Sequence, residues 1–293
     1  MKTVFCDWGT TNLRAYLIEN GEVINTFTSD KGLKSAKDLG FENVLNEIYD
    51  QLEITKDTPI KLSGMIGSKH GWKEAPYVEA PVSLDDIKDN YVLVDGSDNT
   101  QIYGGVSYLM PDGRRDVMRG EEVQIFGILK KYPDAKKICL PGTHAKWVNI
   151  ANAAIDSFQT WMTGDFFNCL SGYTIFKQQI SSEDFNQEAF LKGLDSAKES
   201  KSILNDTFYL RTDYLFGKVN GDEFHSYLSG FLIGNEIKGA AGDCKEVYLS
   251  GSERMVPYYK LALEYFGIKA IEILSSEATV FGMQEISQEC ANV

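Results

Sequence analysis

Two short glycine-threonine stretches carry the residues of this sequence that could bind a phosphorylated ligand. The first, FCDWGTTNLRAYL at 5–17, ends an apolar run with Asp7 and continues into Gly9, Thr10 and Thr11. A glycine followed by hydroxyls and backbone amides suits an anion, most often phosphate. A carboxylate at the end of an apolar run costs free energy unless it is paired or binds a cation. Asp7 is therefore a candidate metal ligand, and a hairpin with a polar turn is the alternative.

A second stretch repeats this pattern 133 residues later. In ICLPGTHAKWV at 138–148, Gly142 and Thr143 stand where Gly9 and Thr10 stand in the first copy. Each copy predicts a strand, a Gly-Thr turn, a second strand, a polar hairpin and a third strand. Two related domains facing each other could bind one polyphosphate with these turns, and a nucleotide-bound Mg²⁺ would then need hard oxygen ligands nearby. Chance similarity of two short hairpins is the alternative.

An alternation of strands and helices must position these turns. Strands are predicted at 3–8, 12–18, 22–28, 59–63, 91–95, 136–141, 145–150, 155–160, 246–250 and 269–273. Helices are predicted at 38–52, 119–132, 182–192, 222–240, 254–266 and 276–288. Such alternation indicates an α/β architecture. The polar, weakly periodic segment 177–222 predicts little.

Composition excludes several classes of function. The 293 residues suit two domains, and a net charge of −13 argues against nucleic acid and anionic membranes as partners. No apolar run approaches the ~20 residues of a membrane helix, and the first residues predict a strand without a signal-peptide pattern. Five scattered cysteines without a CxxC pair indicate reduced thiols, and we expect a cytoplasmic protein.

Six stretches spread along the chain carry a family resemblance. They are DWGTTNLRAY at 7–16, GMIGSKHGWKEAPY at 64–77, DVMRGEEVQIFG at 116–127, LPGTHAKWV at 140–148, TWMTGDFF at 160–167 and YLSGFLIGNE at 227–236. With them the sequence resembles the 2-dehydro-3-deoxygalactonokinases, sugar-acid kinases of the actin-like ATPase and hexokinase superfamily. It departs at Asp165, where the family usually has Glu, and the match is poor over 177–222.

The resemblance implies a fold and an activity. The fold is two similar actin-like ATPase (ribonuclease H-like) α/β domains with a cleft between them. Residues 1–134 plus 277–293 would form the sugar-acid domain, and residues 135–276 the adenosine domain. The activity is ATP-dependent phosphorylation of 2-dehydro-3-deoxy-D-galactonate at its 6-hydroxyl, with Mg²⁺, in galactonate catabolism. The partners would be these small molecules, and a homo-oligomer is possible.

The resemblance also assigns nucleotide-binding roles. Asp7 would hold Mg²⁺ directly or through water. The phosphates would be bound at Gly9, Thr10, Thr11, Gly142, Thr143 and His144. Gly251 and Ser252 would lie near the base or ribose. For His144, a loop histidine bonded to local backbone is an equal alternative, and Lys146, beyond the same turn, is expected to be a solvated charge.

The base that accepts the hydroxyl proton is sought in RGEEVQIFGI at 119–128, a predicted turn leading into a helix. Acids in a first helical turn commonly complement the helix dipole. Glu121 and Glu122 are about 100° apart on a helix, so both cannot point at a substrate. Glu121 is favoured as the base, and Asp116, expected in a loop, is its rival. Arg119 could stabilise the transferring phosphoryl group or pair with a carboxylate.

The sugar-acid site is placed at the glycine-rich stretch 64–77. Glycines permit close approach to a small ligand, and aromatic and hydroxyl groups suit a sugar acid. Gly64, Ser68 and Trp72 are the predicted contacts, and Arg14 is the candidate contact to the carboxylate or keto end. A surface loop folded over its own aromatics is the alternative.

Other functions remain open on the same scaffold. The chain could phosphorylate another 2-keto-3-deoxy sugar acid. It could instead be an exopolyphosphatase-like phosphohydrolase, in which water replaces the sugar hydroxyl, or a nucleotide-switched binding module. ATP consumption that no sugar acid accelerates would favour the hydrolase.

Overall fold

The computed structural model describes residues 2–287. The strands are β1 (Lys2–Trp8), β2 (Leu13–Glu19), β3 (Glu22–Ser29), β4 (Ile60–Ser63), β5 (Tyr77–Glu79), β6 (Tyr91–Leu93), β7 (Thr100–Tyr103), β8 (Gly105–Leu109), β9 (Arg115–Met118), β10 (Lys137–Leu140), β11 (Ala145–Ala151), β12 (Ala154–Trp161), β13 (Glu246–Gly251) and β14 (Lys269–Leu274). The helices are α1 (Leu33–Leu39), α2 (Phe41–Gln51), α3 (Leu84–Asp89), α4 (Glu121–Lys131), α5 (Thr163–Tyr173), α6 (Gln187–Glu199), α7 (Ile203–Leu215), α8 (Phe224–Ala240), α9 (Val256–Tyr265) and α10 (Ser275–Ser287).

Two mixed sheets repeat one strand order. The larger sheet runs β3-β2-β1-β4-β7-β6, and the second runs β12-β11-β10-β13-β14. Its five strands match the first five of the larger sheet position by position. In both copies a strand hairpin occupies one side and the strands that follow extend the other side. The predicted repeat is therefore present as a repeat of topology.

The hairpin after each Gly-Thr turn has the same tight connection. Asn20 and Gly21 join β2 to β3, and Asn152 and Ala153 join β11 to β12. All four residues have positive φ, between 52° and 83°. Two consecutive residues of this conformation give the turn whose twist matches that of the paired strands. The turn therefore sets the register of each hairpin.

The described residues fall into two compact units. The first contains residues 2–135, 149–158 and 275–287, and the second contains 136–148 and 159–274. The core of the first lies around β1, β2, β4 and α2, with Trp8, Leu13 and Ile48 fully buried. The second packs α8 and α9 against β13 around Trp147 and Tyr259. The domain boundaries expected from the resemblance, including 277–293, stay a prediction, and residues 288–293 lie outside the described part.

Several predicted elements differ from the structure. The single helix expected at 38–52 is two helices, because Gly40 has a φ of 86° that no helix continues through. The helix expected at 182–192 starts later, since Asn186 caps it by accepting the Ala189 N–H at 2.9 Å. The helix expected at 119–132 begins only after Gly120, whose φ is 104°.

Other elements have no counterpart in the prediction. The strands β5, β8 and β9 form a small sheet, and none of the three was predicted. The segment 177–222, for which the sequence predicted little, contains the whole of α6 and α7. The last helix ends its described part at Ser287, and the predicted residue 288 lies outside it. None of the described helices has the length and hydropathy that crossing a membrane requires.

Candidate active site

The first Gly-Thr turn is held against the start of α1. The Gly9 N–H donates to the Asn12 carbonyl at 2.9 Å, which closes the turn. The Gly9 and Thr10 carbonyls accept from the N–H groups of Leu33 and Lys34 at 2.9 and 3.1 Å. A cavity of about 180 Å³ opens beside it, lined by Asp7, Gly9, Thr10, Thr11, Asn12 and Arg14. The structure thus brings together the acid, the turn and the arginine that the sequence singled out.

Asp7 is a carboxylate with raised proton affinity. Burial raises its pKa above the usual value, Arg14 opposes that shift, and Glu121 adds to it. Arg14 pairs with Asp7 in the register of β1 and β2, and its side chain is exposed. Among the described residues, none donates a hydrogen bond to the Asp7 carboxylate. A cation in the adjacent cavity would compensate the cost of burying this charge.

Gly64 brings the end of β4 against the same carboxylate. Its φ is 94°, and a Cβ there would lie 2.8 Å from the Trp8 carbonyl oxygen and 3.4 Å from Asp7 Oδ1. Gly120 lies on the other side, where an added Cβ would be 3.3 Å from Gly64 Cα. A side chain at Gly64 would therefore separate β1 from the turn before α4. The predicted contact Gly64 is an element of close packing beside Asp7.

Both glutamates of α4 accept hydrogen bonds at its start. Glu121 Oε2 accepts the Arg119 N–H at 2.9 Å and is half-buried. Glu122 is fully buried, accepts the Gly120 N–H at 2.7 Å, and lies 3.3 Å from the donating Ser63 hydroxyl. Burial, reinforced by Glu121, raises the pKa of Glu122 to about 7. Glu121 is thus the more accessible acid of the pair, and its role as base stays a prediction.

Asp116 is not in a loop, contrary to the expectation. It belongs to β9, opposite Tyr108 of β8, and its Oδ1 accepts the Val117 N–H at 2.7 Å. The short β8–β9 hairpin was missed because its strands are only five and four residues long. Asp116 therefore lies on the small sheet, and its role as the alternative general base to Glu121 stays a prediction.

Arg119 is a buried cation with unused donors. Its Nη2 donates to the Ala75 carbonyl at 2.8 Å, and the guanidinium lies 4.3 Å from the centre of the Tyr77 ring. Its Nε and Nη1 have no partner among the described residues, and the buried hydroxyl of Ser68 has none either. Trp72 stacks on Phe41 at 5.6 Å in the core. Ser68 thus has a free hydrogen-bonding group, whereas Trp72 contributes to packing.

In the second unit, the Gly-Thr turn meets the start of α5. A Cβ on Gly164 would lie 2.7 Å from both the Gly142 carbonyl oxygen and Thr143 Cα. The Asp165 N–H donates to the Thr143 carbonyl at 3.1 Å, and His144 Nε2 lies 2.7 Å from Asp165 Oδ2. His144 is therefore bound to a side chain, Asp165, at the position where the sequence departs from its family.

A cavity of about 330 Å³ opens beside this second turn. Its lining includes Gly142, Thr143, Thr163, Gly164, Phe167, Asn168, His225, Ser229, Arg254 and Tyr258. Burial lowers the pKa of His225, Glu183 opposes that shift, and Arg254 adds to it, so the histidine lies near both a carboxylate and a cation. Sequence reasoning missed His225 and Arg254, because a lone histidine and a lone arginine on different elements carry no spacing signal. The family stretch TWMTGDFF at 160–167 contains three of the α5 residues that line the cavity, Thr163, Gly164 and Phe167, but not Asn168.

Three further residues of this unit were singled out by the sequence. Ser252 is exposed and accepts the Met255 N–H at 3.3 Å, while Gly251 is buried at the end of β13, so their adenosine role stays a prediction. Lys146 is not a solvated charge, which corrects the expectation. It is only 5% exposed and its Nζ donates to Thr160 Oγ1 at 2.7 Å, because most of β11 is buried on both faces.

Comparisons with known proteins place the chain in a family. The profile of the 2-keto-3-deoxy-galactonokinase family matches residues 7–286. A protein of Rhizobium meliloti described as a probable 2-dehydro-3-deoxygalactonokinase is 32% identical over 288 residues, 94% of each chain. The 2-dehydro-3-deoxygalactonokinase of Escherichia coli is 29% identical over 289 residues, 98% of this chain and 97% of that one.

Solved structures agree with this placement. A candidate 2-dehydro-3-deoxygalactonokinase from Sinorhizobium meliloti superposes with a TM-score of 0.91 at 29% identity, covering 97% of this chain and 98% of that chain. The activator of a 2-hydroxyisocaproyl-CoA dehydratase from Clostridium difficile, solved with bound ADPNP, shares the fold with a TM-score of 0.53 at 13% identity, covering 97% and 93%. The repeated α/β units therefore have the actin-like ATPase fold, and the chain belongs to the 2-keto-3-deoxy-galactonokinase family of sugar-acid kinases.

Proposed function

We propose that this protein transfers the γ-phosphoryl group of ATP to the 6-hydroxyl of 2-dehydro-3-deoxy-D-galactonate. The observation that supports this most is the family match over residues 7–286. The two topologically equivalent Gly-Thr turns, each beside its own cavity, fit a reaction that requires positioning and charge neutralisation more than covalent chemistry. A kinase that uses ATP on a catabolic sugar acid would work in the cytoplasm.

Mg²⁺ would be held mainly by the phosphates of ATP. Among residues 2–287, no three acidic, histidine or cysteine side chains come together as a ready-made metal cage. Nucleotide-bound Mg²⁺ needs none, since it usually takes one or two carboxylates, phosphate oxygens and waters. Asp7, a half-buried carboxylate that faces a cavity and has no hydrogen-bond donor among the described residues, fits that role. The bound ion would neutralise charge on the phosphates.

The chain's own groups would bind and orient the reactants. Amides and hydroxyls of Gly9, Thr10 and Thr11 would bind phosphate oxygens in the first unit, and those of Gly142 and Thr143 would do so in the second. His144, fixed by Asp165, would present its other ring nitrogen, Nδ1, to a phosphate. Gly251 and Ser252 would approach the adenosine from the end of β13.

Two arginines, one serine and one glutamate would act on the sugar acid and the transferred phosphoryl group. Arg14 would contact the carboxylate or keto end, and Ser68 would use its free hydroxyl. Glu121 would accept the proton of the 6-hydroxyl, because it is the half-buried acid beside Asp7, whereas Glu122 is enclosed. Arg119, whose Nε and Nη1 have no partner among the described residues, would stabilise the transferring phosphoryl group.

A coupled assay of ADP production tests the proposal. The protein is mixed with ATP and Mg²⁺ and with each of a panel of 2-keto-3-deoxy acids that differ at C4 and C5. We expect the galacto compound to give the largest kcat/KM and the product to carry phosphate at C6. A higher kcat/KM for an epimer would move the assignment to another sugar acid. ADP production that no sugar acid accelerates would replace the kinase by a phosphohydrolase.

A further inference from the structure

Two helices of the second unit present apolar side chains to solvent. On α5 and the residue before it, Met162, Phe166 and Tyr173 are exposed, and Tyr173 is 89% exposed. On α7, Leu204, Phe208 and Leu215 are exposed by 79%, 53% and 57%. Both sets follow the spacing i, i+4, i+11, so each forms a stripe along one helix face. We call these six residues the α5–α7 surface.

The two helices that carry the stripes both pack against α8. Met162, Phe166 and Ile203 line one groove of about 170 Å³, so α5 and α7 begin next to each other. At the other end, Phe176, which follows α5, and Tyr214 of α7 both contact the ring of Phe224, at 5.4 and 5.9 Å. The ends of α5 and α7 therefore lie near each other against α8, and we treat the two stripes as one surface.

The exposed residues are distinct from the residues with which the same helices pack into the core. The core of this region is already formed by other residues of the same helices, among them Leu210 on α7 and the partly buried Phe167 and Leu170 on α5. The six side chains together expose on the order of 700 Å², taking ~150–250 Å² for a large side chain. Monomeric proteins rarely expose an apolar patch of that size, and a standard interface buries ~800 Å² per partner.

We propose that the α5–α7 surface is the interface of a homodimer of this protein. A two-fold axis brings the same patch of both subunits together, and two adjacent helical stripes make a patch that can pack on a copy of itself. The area available matches what a stable dimer requires. The inference does not depend on the proposed substrate.

The charges on this surface do not oppose a second copy as the occupant. The chain carries a net charge of −13, so two copies repel each other wherever carboxylates meet. The six residues of the surface are uncharged. The two acids of α7 are already bound inside the subunit: Asp206 accepts the Ser200 hydroxyl at 2.9 Å, and Asp213 accepts the Tyr227 hydroxyl and Lys218 Nζ at 2.7 Å. Two copies can meet here without desolvating a free carboxylate of this helix.

The interface would touch the helix that lines the second cavity. Thr163, Gly164 and Asn168 of α5 face that cavity, while Met162, Phe166 and Tyr173 belong to the α5–α7 surface. No residue of α5 is fully buried within the subunit. A partner packed on the outer stripe would therefore steady the helix that carries the cavity lining.

Sedimentation equilibrium of the full chain tests the proposal. We expect the wild type at 50 µM to have twice the chain mass of 32.8 kDa. Phe208→Glu, which places a charge at the centre of the α7 stripe, should weaken dimerisation at least about 100-fold, because the charge is buried in both subunits. Ile24→Glu on β3 is the matched control, since Ile24 is 48% exposed but lies outside the surface. It should leave the dimer intact.

A thiol on the stripe gives a readout that needs no variant. Cys169 is exposed between Phe166 and Tyr173, whereas the half-buried Cys244 lies outside the surface and serves as reference. Alkylation of Cys169 by iodoacetamide, measured by peptide mass spectrometry relative to Cys244, should slow at least about 10-fold between 0.1 and 50 µM protein. A wild type that is monomeric at 50 µM, with Cys169 labelled equally at both concentrations, overturns the proposal and leaves the surface to a different partner. A dimer that survives Phe208→Glu places the interface elsewhere.

Discussion

Glu122 makes the stability of this protein depend on pH in a predictable direction. Its side chain is fully buried, and burial with the neighbouring Glu121 raises its pKa from 4.5 to about 7. The folded state therefore disfavours the ionised form. Well below pH 4.5 the group is protonated in both states and contributes no difference. As the pH rises from 4.5 to 7, the unfolded chain ionises first, so the free energy of unfolding falls.

The size of this loss follows from the shift. One pKa unit corresponds to 1.36 kcal/mol, so the ~2.5-unit shift of Glu122 removes about 3 kcal/mol once the pH exceeds 7. Between pH 5 and pH 8 the expected loss is about 2.5 kcal/mol. Glu122→Gln keeps an oxygen that can accept the Gly120 N–H but cannot ionise. The wild type should therefore lose about 2.5 kcal/mol relative to Glu122→Gln over this range.

Urea unfolding at pH 5, 6, 7 and 8 and constant ionic strength measures the difference. Tryptophan fluorescence and far-UV circular dichroism are recorded together, because coincident transitions support a two-state analysis. Glu42→Gln is the matched control, since Glu42 is an exposed acid in the first turn of α2. If the stability difference between wild type and Glu122→Gln is constant from pH 5 to pH 8, the enclosed carboxylate is not the source of the pH dependence.

Three further predictions concern catalysis. Asp7→Asn removes the charge proposed to hold Mg²⁺, so kcat should fall ~10²-fold or more while sugar-acid binding measured by calorimetry persists; near-normal turnover at ordinary Mg²⁺ contradicts the role. Glu121→Gln should lower kcat by ~10²–10⁴-fold with little change in the KM for ATP, and a crippled Asp116→Asn beside a benign Glu121→Gln would reverse the assignment. Arg14→Ala should raise the KM for the sugar acid about 10- to 100-fold and leave the KM for ATP within about twofold. A change confined to ATP would move Arg14 to the phosphate site.

Local signals explain what could be predicted from the sequence. The hairpins that carry the two turns follow from alternating apolar runs and from Asn20-Gly21, a pair suited to a two-residue connection. The approach of Gly64 to Asp7, by contrast, depends on β1 and β4 lying next to each other across 56 intervening positions. No local pattern encodes that contact. The predicted cluster was found only because the family resemblance connected its parts.

The failures have physical causes as well. Lys146 was expected in water because strands usually alternate faces, but β11 is covered on both sides and the amine is satisfied by Thr160 instead. The helix α7 gave a weak periodic signal because Leu204 and Phe208 are apolar although they face outward. A helix with apolar residues on its outer face as well as its inner face lacks a clear hydrophobic period. Such an outer face is consistent with a surface that another copy covers.

The two copies of the turn also show where the repeat stops. Cys6 and Cys139 are 133 residues apart, as Gly9 and Gly142 are, and both thiols are fully buried under their turns. At the same offset, Leu140 occupies the position equivalent to Asp7. The first strand of the second copy therefore carries no acid at that position. Its carboxylate comes instead from Asp165 on α5, bound to His144. One framework thus presents a carboxylate without a hydrogen-bond donor among the described residues in the first unit and a carboxylate bound to a histidine in the second, which is the division expected if the first unit holds the metal and the second the nucleotide.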